Sequence, residues 1–421
     1  MIKKDEIFSF KIGNRQPPKN GAIIKNKTIK IMKTTKTIKL LAYILIGGLF
    51  AACSGESTVT PPPPVTPTSY SGDITEDVTW TSNNVYTLNG RVMVVDGVTL
   101  TIEPGTVIKG APGDGADASA LIIARGGKIM AEGNAANPIV FTAEVDQITD
   151  GTSGFANLTS SDKGLWGGVL ILGNADISAG GNANPVQIEG IPIEEENGLY
   201  GGGISSDNAD NSGKFKYVQI RHGGIEIGAG NEINGLTLGG VGSGTEISHV
   251  EIIANLDDGL ECFGGSVDCD NILVWGAGDD SFDVDQSYSG TIDNFLGILI
   301  DGDQALEIDG WEGDMQADFS LTNGTIIGAP GDKNNCGKFK SNASGSVSNM
   351  LFTNMKDGAT LTVDAGATGV TFSNISFEAG YTQTLVDDLG STVWNDNNDG
   401  SGGATLSNFS VWTVAHYMSA Y

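Results

Sequence analysis

DCDNILVWGAGDDSFDVD, residues 268 to 285, and TIDNFLGILIDGDQALEID, residues 291 to 309, are two copies of one phrase. Each passes an asparagine into a short apolar run, breaks at a turn of Gly and Asp, and closes on a second run that alternates apolar with acidic. The frame recurs upstream as TEISHVEIIANLDDGLECFG (245–264) and, more loosely, as KFKYVQIRHGGIEIG (214–228). Downstream it returns as FSLTNGTIIGA, SVSNMLFTNMKDGATLTV, VTFSNISFEAG and ATLSNFSVW. Where insertions do not stretch them, the intervals run at about 22 to 25 residues, which fits one coil of a parallel β-solenoid with three short strands separated by turns.

Most copies place an asparagine one residue before the buried strand: Asn271, Asn294, Asn323, Asn349, Asn374 and Asn408. An amide repeated at one turn can hydrogen-bond to its copies above and below, satisfying groups that are otherwise buried unpaired. That ladder resembles the one in right-handed parallel β-helices of the pectate-lyase-like kind. The resemblance implies an all-β fold, a single-stranded right-handed parallel β-helix. His249 falls in the asparagine slot of its own copy and is read as a ladder residue, not a catalytic one.

Upstream, RVMVVDGVTLTIEPGTVIKG, SALIIARGGKIMAEG, PIVFTAE and GLWGGVLILGNA alternate aliphatic and β-branched residues with glycine turns. These phrases resemble a widespread group of surface lipoproteins of Bacteroidetes-like bacteria, related in pattern to a leptospiral outer-membrane lipoprotein family. The likeness spans residues 73 to 421 and implies fold and location, with almost nothing about chemistry. Residues 73 to 90 are expected to cap the first coil. The tail from Asn395 to Tyr421 is expected to close the last one, burying Trp412 and Tyr417, with His416 a cap residue.

Composition agrees with an all-β chain: Gly is 61 of 421 residues, aromatics are 7% and charged residues 18%. The first residues differ in kind. Lys33, Lys36 and Lys39 lead into LLAYILIGGLFAAC (40–53), a basic flank, a short apolar run and small residues before a cysteine. This resembles a bacterial lipoprotein signal, which implies cleavage before Cys53 and lipidation of its sulfur; Phe50 departs from the usual aliphatic residue there. Residues 1 to 52 are thus read as a signal segment, and 1 to 31, which precede Met32 and have no core-forming pattern, as a misassigned start. Residues 53 to 72 form the lipidated Cys and a Pro/Thr-rich stalk, and 73 to 421 the β-helix domain with its two caps.

Without residues 1 to 52 the chain keeps 12 basic and 49 acidic residues, a net charge of -37. Nucleic acid is excluded as a partner, because phosphate neutralisation needs the opposite sign. Divalent cations are favoured. The remaining Cys262, Cys269 and Cys336 have no zinc-like spacing and are read as small buried apolar residues, with one disulfide as the alternative.

Aligned on the repeat, the second runs read GLECFG, SFDVDQ, ALEIDG and GKFKSN. Side chains of a strand alternate between faces, so Leu260, Phe282, Leu306 and Phe339 point inward. Glu261, Asp283, Glu307 and Lys338 then form one external column, with Phe263, Asp285, Asp309 and Lys340 beside it, and Glu226 extending the first column upward. Asp257, Asp258, Asp279, Asp280 and Asp303 line the turns before these runs. Stacked carboxylates repel, and Ca²⁺, which takes six to eight oxygens without strict geometry, is the expected compensation. Raised pKa values and a solvated acidic wall are the alternatives.

Catalysis has two forms. GDD (278–280) is similar to a segment of the polygalacturonase family, but that family's Gly-His-Gly and Arg-x-Lys motifs are missing here. A Ca²⁺-dependent polysaccharide lyase acting on a uronate polymer needs a base, and Lys338, Lys340 or Arg221 are the candidates. The bland reading has the lysines ending the acidic columns by cross-strand pairing, and Arg221 with His222 stabilising a turn. The expected function is a lipid-anchored, outer-membrane and surface-displayed β-helix that binds glycan or a partner protein without catalysis. Phe263 and Trp311 are its expected exposed aromatics, and a TonB-dependent transporter is suggested as a neighbour. The alternatives are the lyase and a purely structural surface protein.

Overall fold

The computed structural model describes residues 66–226, 233–329, 335–378, 384–387 and 401–421. Cys53 and the signal segment lie outside them. Among these residues, twenty-three strands join in one continuous parallel array, wound as a right-handed parallel β-helix. Each coil contributes three strand segments. The first sheet is a stack of short strands, among them Val169–Leu172, Leu236–Gly239, Leu260–Phe263, Phe282–Asp285, Leu306–Ile308 and Gly337–Phe339. The second and third sheets are the two halves of longer strands such as Cys269–Trp275 and Thr291–Ile298.

The asparagine decides where those long strands bend. Asn271, Asn294, Asn323, Asn349 and Asn374 all hold φ between 49° and 57°, a left-handed conformation that asparagine tolerates better than other residues with a side chain. Pairing skips the slot: Asp270 faces Asp293 and Ile272 faces Phe295, with the asparagines between. The corner also makes the ladder. Asn294 Nδ2 donates to Asn271 Oδ1 at 2.5 Å, Asn349 to Asn323 at 2.6 Å and Asn374 to Asn349 at 2.7 Å. At the longer interval between Asn294 and Asn323, the Asn323 amide turns to Asp293 Oδ1 instead, at 2.6 Å. Above Asn271 the slot passes to His249 (φ 56°) and Tyr217 (φ 51°), whose rings stack with centroids 4.2 Å apart.

Inside the coils, Leu260, Phe282, Leu306 and Phe339 are fully buried, as the alternation requires. Each contributes about 2 kcal/mol by leaving water. Cys262, Cys269 and Cys336 are buried free thiols of the same core.

Both ends differ from expectation. The first strand, Thr66–Ile74, pairs in parallel with Asn84–Val94 and begins inside the segment read as stalk. Among the described residues it is the end strand of the array. The segment expected to cap it, 73 to 90, itself forms rungs, with Trp80 and Tyr86 stacked at 5.1 Å.

The described part of the tail does not close the last coil, and residues 395 to 400 lie outside the described residues. Residues 401–421 climb the outside of the third sheet as a strap, burying Phe409, Trp412, Val414 and Ala415 against Ile253, Leu273, Trp275, Leu296 and Ile298. Glu251 accepts the Val414 and Ala415 N–H groups at 2.8 and 2.9 Å. Thr405 N–H reaches Asn294 Oδ1 at 2.6 Å and Asn408 Nδ2 reaches Asn271 Oδ1 at 2.8 Å. Asn408 is therefore a strap residue docked on the ladder, not a rung of it. Tyr417 stays 42% exposed, contrary to expectation, and His416 is exposed on the same short helix, Val414–Tyr417. Among the described residues no helix is long and apolar enough to cross a membrane.

Candidate metal centre

The first sheet builds the acidic columns in register. Glu261 lies opposite Asp283, Asp283 opposite Glu307, and Glu307 opposite Lys338; Phe263 lies opposite Asp285. Above Glu261 stands Thr237, not Glu226. Glu226 sits in an exposed loop beyond the strand end, because the chain runs on from Arg221 through a glycine turn before the next first-sheet strand begins at Leu236.

Two turn aspartates are buried deeply. Asp258 Oδ1 accepts the Asp280 N–H at 2.8 Å, and Asp280 Oδ1 accepts the Gln304 N–H at 2.5 Å, so each clamps the next coil's turn. The same turns bring both carboxylates to the strand acids. Three trios result, each with one oxygen per residue within 4.8 Å of the others: Asp257, Asp258 and Asp279; Asp258, Glu261 and Asp283; Asp280, Asp283 and Glu307. Asp283 belongs to two of them. Of the ten expected acids, Asp285, Asp303 and Asp309 join no trio. Asp285 accepts the Gln286 N–H at 2.6 Å, and Asp309 is taken by Lys340.

Crowding and burial act together on these groups. Burial first, then the neighbouring charges, hold Asp258, Glu261 and Asp283 well above the usual carboxylate range. Asp280, only 3% exposed, is pushed up to about 8 by burial and then by Glu307. Asp285 reaches about 7 through burial, partly countered by the Gln286 amide, with Glu312 and Asp309 adding to it. Asp283 Oδ1 and Asn234 Oδ1 are buried oxygens with no hydrogen-bond donor. Asn234, 1% exposed, turns its Nδ2 onto Glu261 Oε2.

The donor set is all hard oxygen, with no His or Cys. Oxygens that share a Ca²⁺ at about 2.3 to 2.6 Å can lie up to about 5 Å apart, so the spacing of the trios is compatible with that ion, which would satisfy the donorless Asp283 Oδ1. Mg²⁺, which demands near-ideal octahedral geometry, suits stacked rungs less well.

The expected bases fare differently. Lys340 bridges Glu307 at 2.9 Å and Asp309 at 3.2 Å. Burial opposes its charge, yet these two ion pairs hold its pKa above the ordinary lysine value, so it is a counter-ion and not a free base. Arg221 is on the third sheet, fully buried beside the strap, with Nη2 on Gln219 Oε1. It is on another face from the acids. His222, φ 63°, pins its turn through Nδ1 to Asp162 O at 2.7 Å. Lys338 stands one rung below Glu307.

The aromatics also divide. Phe263 is not exposed: an insertion between the rung copies Val169–Leu172 and Leu236–Gly239 covers it, through Tyr200 at 5.9 Å together with Ile177, Ile188 and Ile191. Trp311 is half-exposed beside Asp309. Glu189, from the same insertion, accepts a hydrogen bond from Asn234 at the rim of the trios. Neither Glu189 nor Asn234 was predicted, since both lie outside the repeating phrase.

A family model described as a pectate-lyase-like beta helix domain matches residues 72–416. No curated protein and no solved structure matches the chain.

Proposed function

The chain belongs to the pectate-lyase-like β-helix domain family, and from that premise we propose a non-catalytic binding module whose first-sheet acids hold Ca²⁺ and, through it, an anionic glycan or partner protein. The observation that carries this reading is the convergence of two carboxylate trios on Asp283 around buried oxygens that have no donor. A bound divalent ion supplies positive charge where this acidic chain has almost none, and so a place for a ligand carboxylate. The stalk and Cys53 support tethering by a lipid anchor, with outer-membrane surface display, beside a TonB-dependent transporter, as the setting.

A lyase on a uronate polymer is the second reading. It rests on Lys338, because Lys340 is engaged by two carboxylates and Arg221 lies on another sheet. Calorimetric titration of the chelator-treated chain with CaCl₂, followed by a screen of acidic polysaccharides for unsaturated uronate products, tests both. Calcium binding without products supports the binding module, and products that vanish in Lys338→Ala support the lyase. Neither calcium binding nor products leaves the acids a solvated wall of a structural protein.

A further inference from the structure

The corner turns of the upper coils meet the insertion in a solvent-open cavity of about 430 Å³, away from the acidic columns. Its polar lining is Asp96, Arg125, Asn174, Glu196, Asn197 and Ser205, with Leu199 as an apolar patch. Arg125 is fixed from behind, Nη1 donating to Gly201 O at 2.8 Å. Burial pulls its pKa below the ordinary arginine value and Asp96 offsets part of this. Even so, the guanidinium and the Asp96 carboxylate do not close to an ion pair: every salt bridge among the described residues is made by a lysine. The Asp96 carboxylate is held against the next turn by a glycine. At Gly126, φ +79°, an added Cβ would fall 2.0 Å from Asp96 Oδ1.

The cavity therefore presents a carboxylate needing donors and a guanidinium fork needing acceptors, with two amides and a hydroxyl around them. Vicinal hydroxyls supply both from neighbouring atoms, each donating to a carboxylate while accepting from Arg or Asn. An anionic ligand meets Asp96 and Glu196, and a cationic one meets Arg125. The volume sits at the small end of the roughly 300 to 1,000 Å³ typical of ligand pockets, room for one or two sugar rings. We propose that this corner binds a neutral saccharide, independently of any cation at the acidic columns.

Saturation-transfer NMR on the full chain in EDTA tests this, using methyl glycosides of glucose, galactose and mannose, their β-linked disaccharides, and glycine and alanine as zwitterions. Saturable transfer is expected from at least one neutral glycoside. It should weaken at least tenfold in Asp96→Ala and in Arg125→Lys, which keeps the charge but loses the fork, and persist in Asp283→Asn. Asn197→Ala, at the half-exposed rim, serves if either first variant fails to fold. Saturation by no glycoside, by amino acids alone, or by a glycoside indifferent to all three substitutions overturns the proposal.

Discussion

Asp283→Asn should stabilise the fold in chelator and lose that advantage when calcium is present. Asp283 faces Glu261 on one side and Glu307 on the other, at the strand spacing of about 4.8 Å. At an effective dielectric constant near 20, each ionised pair repels by about 3.5 kcal/mol. Protonation caps that cost. A neighbour such as Asp280, pushed from 3.8 up to about 8, stays neutral at pH 7 in the fold but ionises in the unfolded chain, which costs the fold about 4 kcal/mol. Replacing Asp283 by its isosteric amide removes one charge from two trios, so the calcium-free variant should gain about 2 to 4 kcal/mol. Wild type should gain about 2.7 kcal/mol from calcium at a hundred times its Kd, and the variant should not. The assay is a pair of melting curves, in EDTA and in CaCl₂: the variant melts a few degrees above wild type in chelator, and the gap closes in calcium. A variant that melts below wild type in both, or a wild type blind to calcium, refutes the reasoning.

In EDTA, stability should decline as pH rises from about 4 to 8. The sign follows from raised carboxylate pKa values: the fold keeps protons on groups such as Asp280 and Asp285 that the unfolded chain releases above its ordinary range. Chemical denaturation at pH 5 and pH 8 checks this, and equal midpoints refute it. Trp412→Ala should cost about 3 to 5 kcal/mol in a denaturant titration, since the indole is 1% exposed under the strap. Asn349→Ala should cost about 1 to 3 kcal/mol by losing two ladder bonds and a tolerated left-handed conformation. Asn349→Gly, which keeps the conformation, should cost less, and the difference between the two variants separates the contributions.

The winding and the acidic columns were legible because a parallel stack maps sequence offset directly onto height. Glu261, Asp283 and Glu307 fall at intervals that skip no coil. What covers the stack was less legible. The insertion that buries Phe263 occupies a gap in the repeat, where no phrase predicts which coil it folds onto. The strap's docking face was written in ILVW and FLGIL, whose outward residues Leu273, Trp275, Leu296 and Ile298 are as apolar as the inward ones, the mark of a sheet covered on both sides. The repeat itself concealed this, because Asn408 in ATLSNFSVW imitates a rung. The same mimicry placed Glu226 in a column that Thr237 occupies.

The strap also bears on how the molecule comes apart and together. Solenoids of neighbour-only contacts tend to fray coil by coil from an end. Here residues 404 to 415 stitch Thr325, Asn294, Asn271 and Glu251 together across four successive turns of the spiral. Peeling any of those turns means lifting the seam first, which makes the middle of the spiral melt as one block. During synthesis the seam follows the coils it covers, so those coils keep one flank wet until residues 404 to 415 have emerged.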